Sequence, residues 1–210
     1  MKSFIVCCIF SLLLLNVYSQ TAIAPDSLPK RVKDSLRREA LWANATYPLI
    51  INSKMSGVFP VTDIKEKPDV SMKYKLLMNL TQWAKDSVSI KKVSAGLAEI
   101  GRIINLHVAA GIPKENLDIV IVVHAGALNA FLTDPEYKSK FKTDNPSLDI
   151  IKQFAVLNAK FIACGQAEIF LDIPKEKMIP EIKTALTAIV TLSTYQLKGY
   201  VLYNINNDEK

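Results

Sequence analysis

The chain has 210 residues, half of them apolar and 22% charged, which suffices for one domain with a substantial core. Its ten prolines and seven glycines exclude a collagen, a low-complexity chain and a disordered acidic tail, while three cysteines and two histidines exclude a disulfide-stapled mini-protein and a histidine-rich metal site. The net charge of +6 admits an anionic partner, but no basic run or nucleic-acid motif accompanies it, so nucleic acid is not expected.

The N-terminus reads as a secretory signal over residues 1–19. Lys2 supplies a positive start, Phe4 to Leu15 is an apolar run broken only by Ser11, and Val17-Tyr18-Ser19 presents small residues for cleavage. The run is too short for a bilayer core, which takes about 20 residues, so no stable span is expected after cleavage. An exported protein, periplasmic or secreted, is implied. Cleavage removes Cys7 and Cys8 and leaves Cys164 as the one thiol, which is then buried and inert, joined to another molecule, or reactive.

Residues 20–69 show no sustained period. Prolines at 25, 29, 48, 60 and 68 break them up, and the charged stretch Lys30 to Glu39 can form one short surface helix. This segment is expected to be an N-terminal arm on a domain spanning 70–210. Tyr74 to Leu80 is a strand candidate. A long helix follows, with Val93, Leu97, Ile100, Ile104 and Val108 on one face, stopped by Gly111 and Pro113. Leu117 to Val123 is a nearly continuous β-branched run, as in a strand covered on both faces.

Ala127 to Leu132 is expected to turn helically, and Asp134-Pro135-Glu136 to open a short helix through Phe141. Asn145-Pro146 begins another, with Leu148, Ile151, Phe154 and Leu157 inward. Lys160 to Cys164 reads as a third strand. A last amphipathic helix is expected to carry Ile182, Leu186, Ile189 and Leu197 on its buried side and to stop at Gly199, before a strand over Tyr200 to Ile205. The alternation predicts a three-layer α/β/α sandwich with a mostly parallel sheet of four or five strands.

Open α/β sheets bind ligands beyond the carboxyl ends of their strands. Asn79, His124 and Cys164 are the first polar or reactive groups after their apolar runs, and Gly126 and Gly165 beside the last two leave room for a ligand. A thiolate at Cys164 with His124 nearby is a nucleophile or sulfur-exchange centre; a buried cysteine packing as a small hydrophobe is the other reading. His107 falls on the apolar side of the long helix as a core or edge residue, and Trp42 and Trp83 read as packing residues. Asn44-Ala45-Thr46 and Asn79-Leu80-Thr81 match the glycosylation acceptor pattern. No Gly-rich phosphate loop, Cys-x-x-Cys, Gly-x-Ser-x-Gly or zinc ligand set is present, so no cofactor and no metal are expected.

Several short segments in order carry a family resemblance: Asn105-Leu106-His107 with Ala109-Ala110-Gly111-Ile112-Pro113, then Val122-Val123-His124-Ala125-Gly126-Ala127, Asn145-Pro146-Ser147-Leu148, Cys164-Gly165-Gln166, and Thr194-Tyr195-Gln196-Leu197-Lys198-Gly199-Tyr200. Over Tyr74 to Ile205 the chain resembles exported members of the DsrE/DsrF-like sulfur-relay family. The resemblance implies a parallel α/β sandwich assembling as homo-oligomers, commonly trimer-based, with Cys164 as the persulfide-carrying cysteine and His124 near it. Gln166 is then a hydrogen-bond donor to the outer sulfur, and a sulfur donor or acceptor thiol protein is the partner. Ala125 stands where the family commonly has glycine, and Ala167 where it often has a small hydroxyl residue. The alternative is a non-catalytic small-ligand-binding or assembly module of the same fold with a structural cysteine. A Cys-His hydrolase has the two residue types but no evident orienting group or oxyanion turn in the sequence.

Overall fold

The structure is a computed structural model that describes residues 28–51 and 53–206. Residues 1–19, expected to be a signal segment, lie outside the described residues together with Cys7 and Cys8. The chain divides into two compact units, Met1–Glu39 and Ala40–Lys210. Helix α1 (Lys30–Ala43) covers the charged stretch and has no buried residue.

The second unit holds a five-stranded, all-parallel sheet in the order β4-β3-β2-β1-β5. Its strands are β1 (Tyr74–Leu80), β2 (Leu117–Val123), β3 (Lys160–Cys164), β4 (Ile182–Ala185) and β5 (Val201–Ile205). The helices are α2 (Ala95–Ala109), α3 (Asp134–Phe141), α4 (Leu148–Val156), α5 (Gly165–Phe170) and α6 (Ala188–Leu197), with 3-10 turns over Ala125–Phe131. Helices flank both faces, so the fold is the three-layer α/β/α sandwich that the alternation predicts.

Strand periodicity of two decides which layer each side chain enters. Leu76, Met78 and Leu80 of β1, Ile119, Ile121 and Val123 of β2, and Phe161 and Ala163 of β3 join the large core with α2 and α4. Leu77, Val120, Val122 and Cys164 point the other way, into a small cluster with Ala188 of α6 and Tyr200. The first core also takes in Tyr137 of α3, whereas the second face is covered chiefly by α6. In β2 every residue but Asp118 is buried, and Asp118 accepts a 2.5 Å hydrogen bond from the Tyr200 hydroxyl.

The segment before β1 is docked rather than draped. Ile50 is 1% exposed, and Thr46 bridges to Val58 in antiparallel fashion. Asn105 of α2, fully buried, spends its whole amide on this segment. Its Oδ1 accepts from the backbone N–H groups of Leu49 at 3.0 Å and Ile50 at 2.9 Å, and its Nδ2 donates to the carbonyls of Ile50 and Ser56, both at 2.8 Å.

The final helix departs from expectation. Ile182–Ala185 is a strand, and α6 begins only after Thr187, whose hydroxyl caps it by accepting from the Ile189 N–H. Ile182, Leu186 and Ile189 imitate a helical spacing, but β3 leaves an edge open, and a short β-branched segment pairs there instead. Leu186, Ile189 and Leu197 are consequently 77%, 75% and 90% exposed rather than buried. Helix α5, directly after Cys164, is likewise absent from the sequence-based expectation.

Candidate functional site

Two features lie at the carboxyl ends of the strands, on opposite faces of the sheet. On the α6 face, the register of β2 and β3 ends at Val123↔Ala163. The next residues, His124 and Cys164, keep extended backbone (φ −150° and −81°), so both side chains return to the face of Val122 and Ile162. The His124 N–H continues the ladder to the Leu80 carbonyl at 3.1 Å. The imidazole and the thiol thus occupy neighbouring register positions, on strands spaced about 4.8 Å apart.

A polar chain fixes the imidazole. Asn79 Nδ2 donates to Asn204 Oδ1 at 2.8 Å, so Asn79 presents its Oδ1 to His124 Nε2, 2.7 Å away. His124 therefore carries its proton on Nε2, and in the neutral ring Nδ1 keeps the lone pair. Burial lowers the His124 pKa below its ordinary value, favouring that neutral form. Asn79, expected at the substrate site, stands here as an orienting group, with its Nδ2 on Asn204 and its Oδ1 on His124. It also lies inside β1. Asn204 enters this chain because β5 pairs with β1 in register Asn79↔Asn204, a pairing with no local sequence signal.

Cys164 is 6% exposed, packed among Leu77, Val120, Val122, Ala188 and Tyr200, and makes no hydrogen bond among the described residues. It sits under the layer that α6 supplies, not on an open rim. A cavity of about 300 Å³ runs beside α6 and is lined by Ile162 and by Ala185, the register partner of Cys164, but not by Cys164 itself. Gln166 is exposed in the first turn of α5, next to Cys164 and Gly165 in the chain.

The two glycines have occupants where a ligand was expected. A Cβ at Gly126 would lie 2.9 Å from Trp83 Cβ, and one at Gly165 would lie 2.9 Å from the Ala185 carbonyl oxygen. Each serves close packing of protein on protein. Ala125 has φ +52°, the left-handed conformation in which glycine is at ease. His107 Nδ1 lies 2.7 Å from the Ile103 carbonyl and its ring meets Tyr74 edge-on, as an edge histidine. Trp42 packs on Phe59, and Trp83 on Tyr137 and Phe141.

On the other face, β1 lies between β2 and β5, and its carboxyl end runs into the loop that leads to α2. Two cavities open there, of about 810 and 630 Å³, sharing Met55, Gln82, Lys85 and Ala95. Their walls come from the segment before β1, the loop after it and the start of α2. The sequence reading did not assemble them, because no local motif marks residues that meet only in the fold. Among the described residues no group of three or more metal-ligating side chains occurs, and no helix is long and apolar enough to cross a membrane.

Fold and site together define an all-parallel three-layer α/β protein with a His–Cys pair at the strand ends of one face and an open crevice on the other. No known protein family matches the chain, and no curated protein matches it. Among solved structures it is similar to a protein of unknown function from Methanobacterium thermoautotrophicum, with 13% identity over 62% of this chain and 98% of that one, at a TM-score of 0.44.

Proposed function

We propose that this protein is exported and carries sulfane sulfur as a persulfide on Cys164, like the DsrE/DsrF-like proteins it resembles. The observation that supports the reading is the neighbouring placement of Cys164 and an oriented, neutral His124 at the carboxyl ends of β3 and β2. His124 Nδ1 accepts the thiol proton. The thiolate attacks the outer sulfur of a donor, an S–S bond forms at Cys164, and the donor's own S–S bond breaks with its electron pair leaving on a thiolate or sulfite. A partner thiolate then takes the terminal sulfur and returns Cys164 as thiolate. The cover over the sulfur is α6, through Ala188, so loading requires that end of the helix to move aside.

Self-association belongs to the same proposal. Helix α6 contains no charged residue, and Ile189, Val190 and Leu197 on it, with Val201 beside it, are all more than half exposed. A surface of this kind marks a contact between protein molecules.

The test is intact-mass analysis of the protein lacking residues 1–19 after exposure to polysulfide. Wild type is expected to gain sulfur atoms, and Cys164→Ser none. An unmodified wild type, or a serine variant that still gains sulfur, overturns the proposal. A second reading, a binding module with a structural cysteine, is favoured by the 6% exposure of Cys164. Thiol labelling separates the two. Labelling that needs denaturant supports the module, and labelling of the native protein supports the carrier.

A further inference from the structure

We infer that the crevice between the start of α2 and the loop after β1 is a binding site for a small amphipathic organic anion, independent of the sulfur chemistry at Cys164. The cavity of about 630 Å³ lies within the size range of small-molecule sites. Its apolar wall is made by Met55, Trp83, Val93, Ala98 and Tyr137. That wall is rigid. Gly126 lets the Trp83 side chain lie against the loop after β2, Phe141 packs on the indole at 5.7 Å between centroids, and the Tyr137 hydroxyl is tied to the Ile90 carbonyl at 2.7 Å.

The charged part of the lining is one-sided. Lys54, Lys85 and Lys92 face a single acid, Asp86. Asp86 is already committed to its own loop: its Oδ1 accepts from the N–H groups of Val88 at 3.0 Å and Ser89 at 2.7 Å, and from the Ser89 hydroxyl at 2.9 Å. These bonds hold its pKa below the ordinary carboxylate value, so it stays charged but turned into the turn. Lys54 rests over the Trp42 ring at 5.8 Å. Among the described residues Lys85 and Lys92 form no direct ion pair, and Lys92 contributes only the smallest of the effects that keep Asp86 charged. The first turn of α2 opens on the same cavity without a side-chain cap from Ser94, adding partial positive charge to that of the lysines.

An apolar pocket with fixed aromatic walls and two ammonium groups free of direct ion pairs in its lining selects a ligand with an apolar body and an anionic head. A neutral apolar molecule leaves the lysines unanswered; a small inorganic anion leaves the pocket empty.

The probe is 8-anilinonaphthalene-1-sulfonate, an aromatic sulfonate, compared with its neutral counterpart N-phenyl-1-naphthylamine. Binding is followed by probe fluorescence at low salt. Changing Lys85→Gln and Lys92→Gln together is expected to weaken the sulfonate about tenfold, the worth of two partly solvated ion pairs, and to leave the neutral probe unchanged. Ala95→Trp, at an exposed position on the rim shared by both cavities, is expected to weaken both probes. Thermal melts confirm that each variant is folded. Sulfonate binding that ignores both the lysine and the Ala95 changes, as binding on the exposed α6 surface would, overturns the inference. Equal weakening of the neutral and charged probes by the lysine changes overturns the choice of an anion.

Discussion

His124 owes its state to two neighbours and to burial. Asn79 holds Nε2–H, Asn204 holds Asn79, and removal from water lowers the pKa from the ordinary 6.5. The unfolded chain therefore takes up a proton at a pH where the folded chain does not, so stability rises with pH between the two values. The contribution is fully present above the ordinary value and is lost as acidification proceeds toward the lowered one. Urea midpoints from pH 7.5 down to 5 are expected to fall more steeply in wild type than in His124→Gln. Parallel profiles would show that the imidazole is not desolvated. Cys164 and His124 were legible in the sequence because each is the first polar or reactive residue after an apolar run. The role of Asn79 was not, since it depends on an amide from β5, 125 residues away.

At the scale of elements, α2 does two jobs. Its apolar face fills the core, and Asn105 clamps the segment before β1 with four hydrogen bonds from one buried amide. Removing that amide strands backbone groups that have no other partner at the site. Asn105→Ala is accordingly expected to cost about 3 kcal/mol in chemical denaturation, well above an ordinary surface substitution. A loss under about 1 kcal/mol would mean that water replaces the clamp. The sequence placed Asn105 in a motif without revealing this use. The strand β2 was readable from its nearly unbroken β-branched run, whereas β4 was not: Ile182, Leu186 and Ile189 stand four and three apart, and only the free edge of β3 decides for a strand. The crevice residues escaped for a related reason. Met55, Trp83, Lys92 and Tyr137 come from separate stretches of the chain that meet only in the fold.

The two faces of the whole molecule are unequally finished. One is sealed by α2 and α4 around a large core; the other relies on α6, an uncharged helix that exposes Ile189, Val190 and Leu197. A lone soluble domain rarely leaves such a surface in water, and a second copy of the chain would bury it next to the helix that covers Cys164. The nearest charges, Lys75 and Lys198, lie at the end of α6 over the Tyr200 and Tyr195 rings, and the helix itself carries none. Sedimentation velocity at high micromolar concentration is expected to show wild type as an oligomer. The pair Ile189→Glu and Leu197→Glu should run as a monomer with an unchanged melt, because both side chains are at least 75% exposed and contribute little to the core. Slower polysulfide loading of Cys164 in the oligomer than in the monomeric variant would place the thiol beneath that contact. A wild type that sediments as a monomer removes self-association from the reading and leaves α6 as a bare lid over the sulfur.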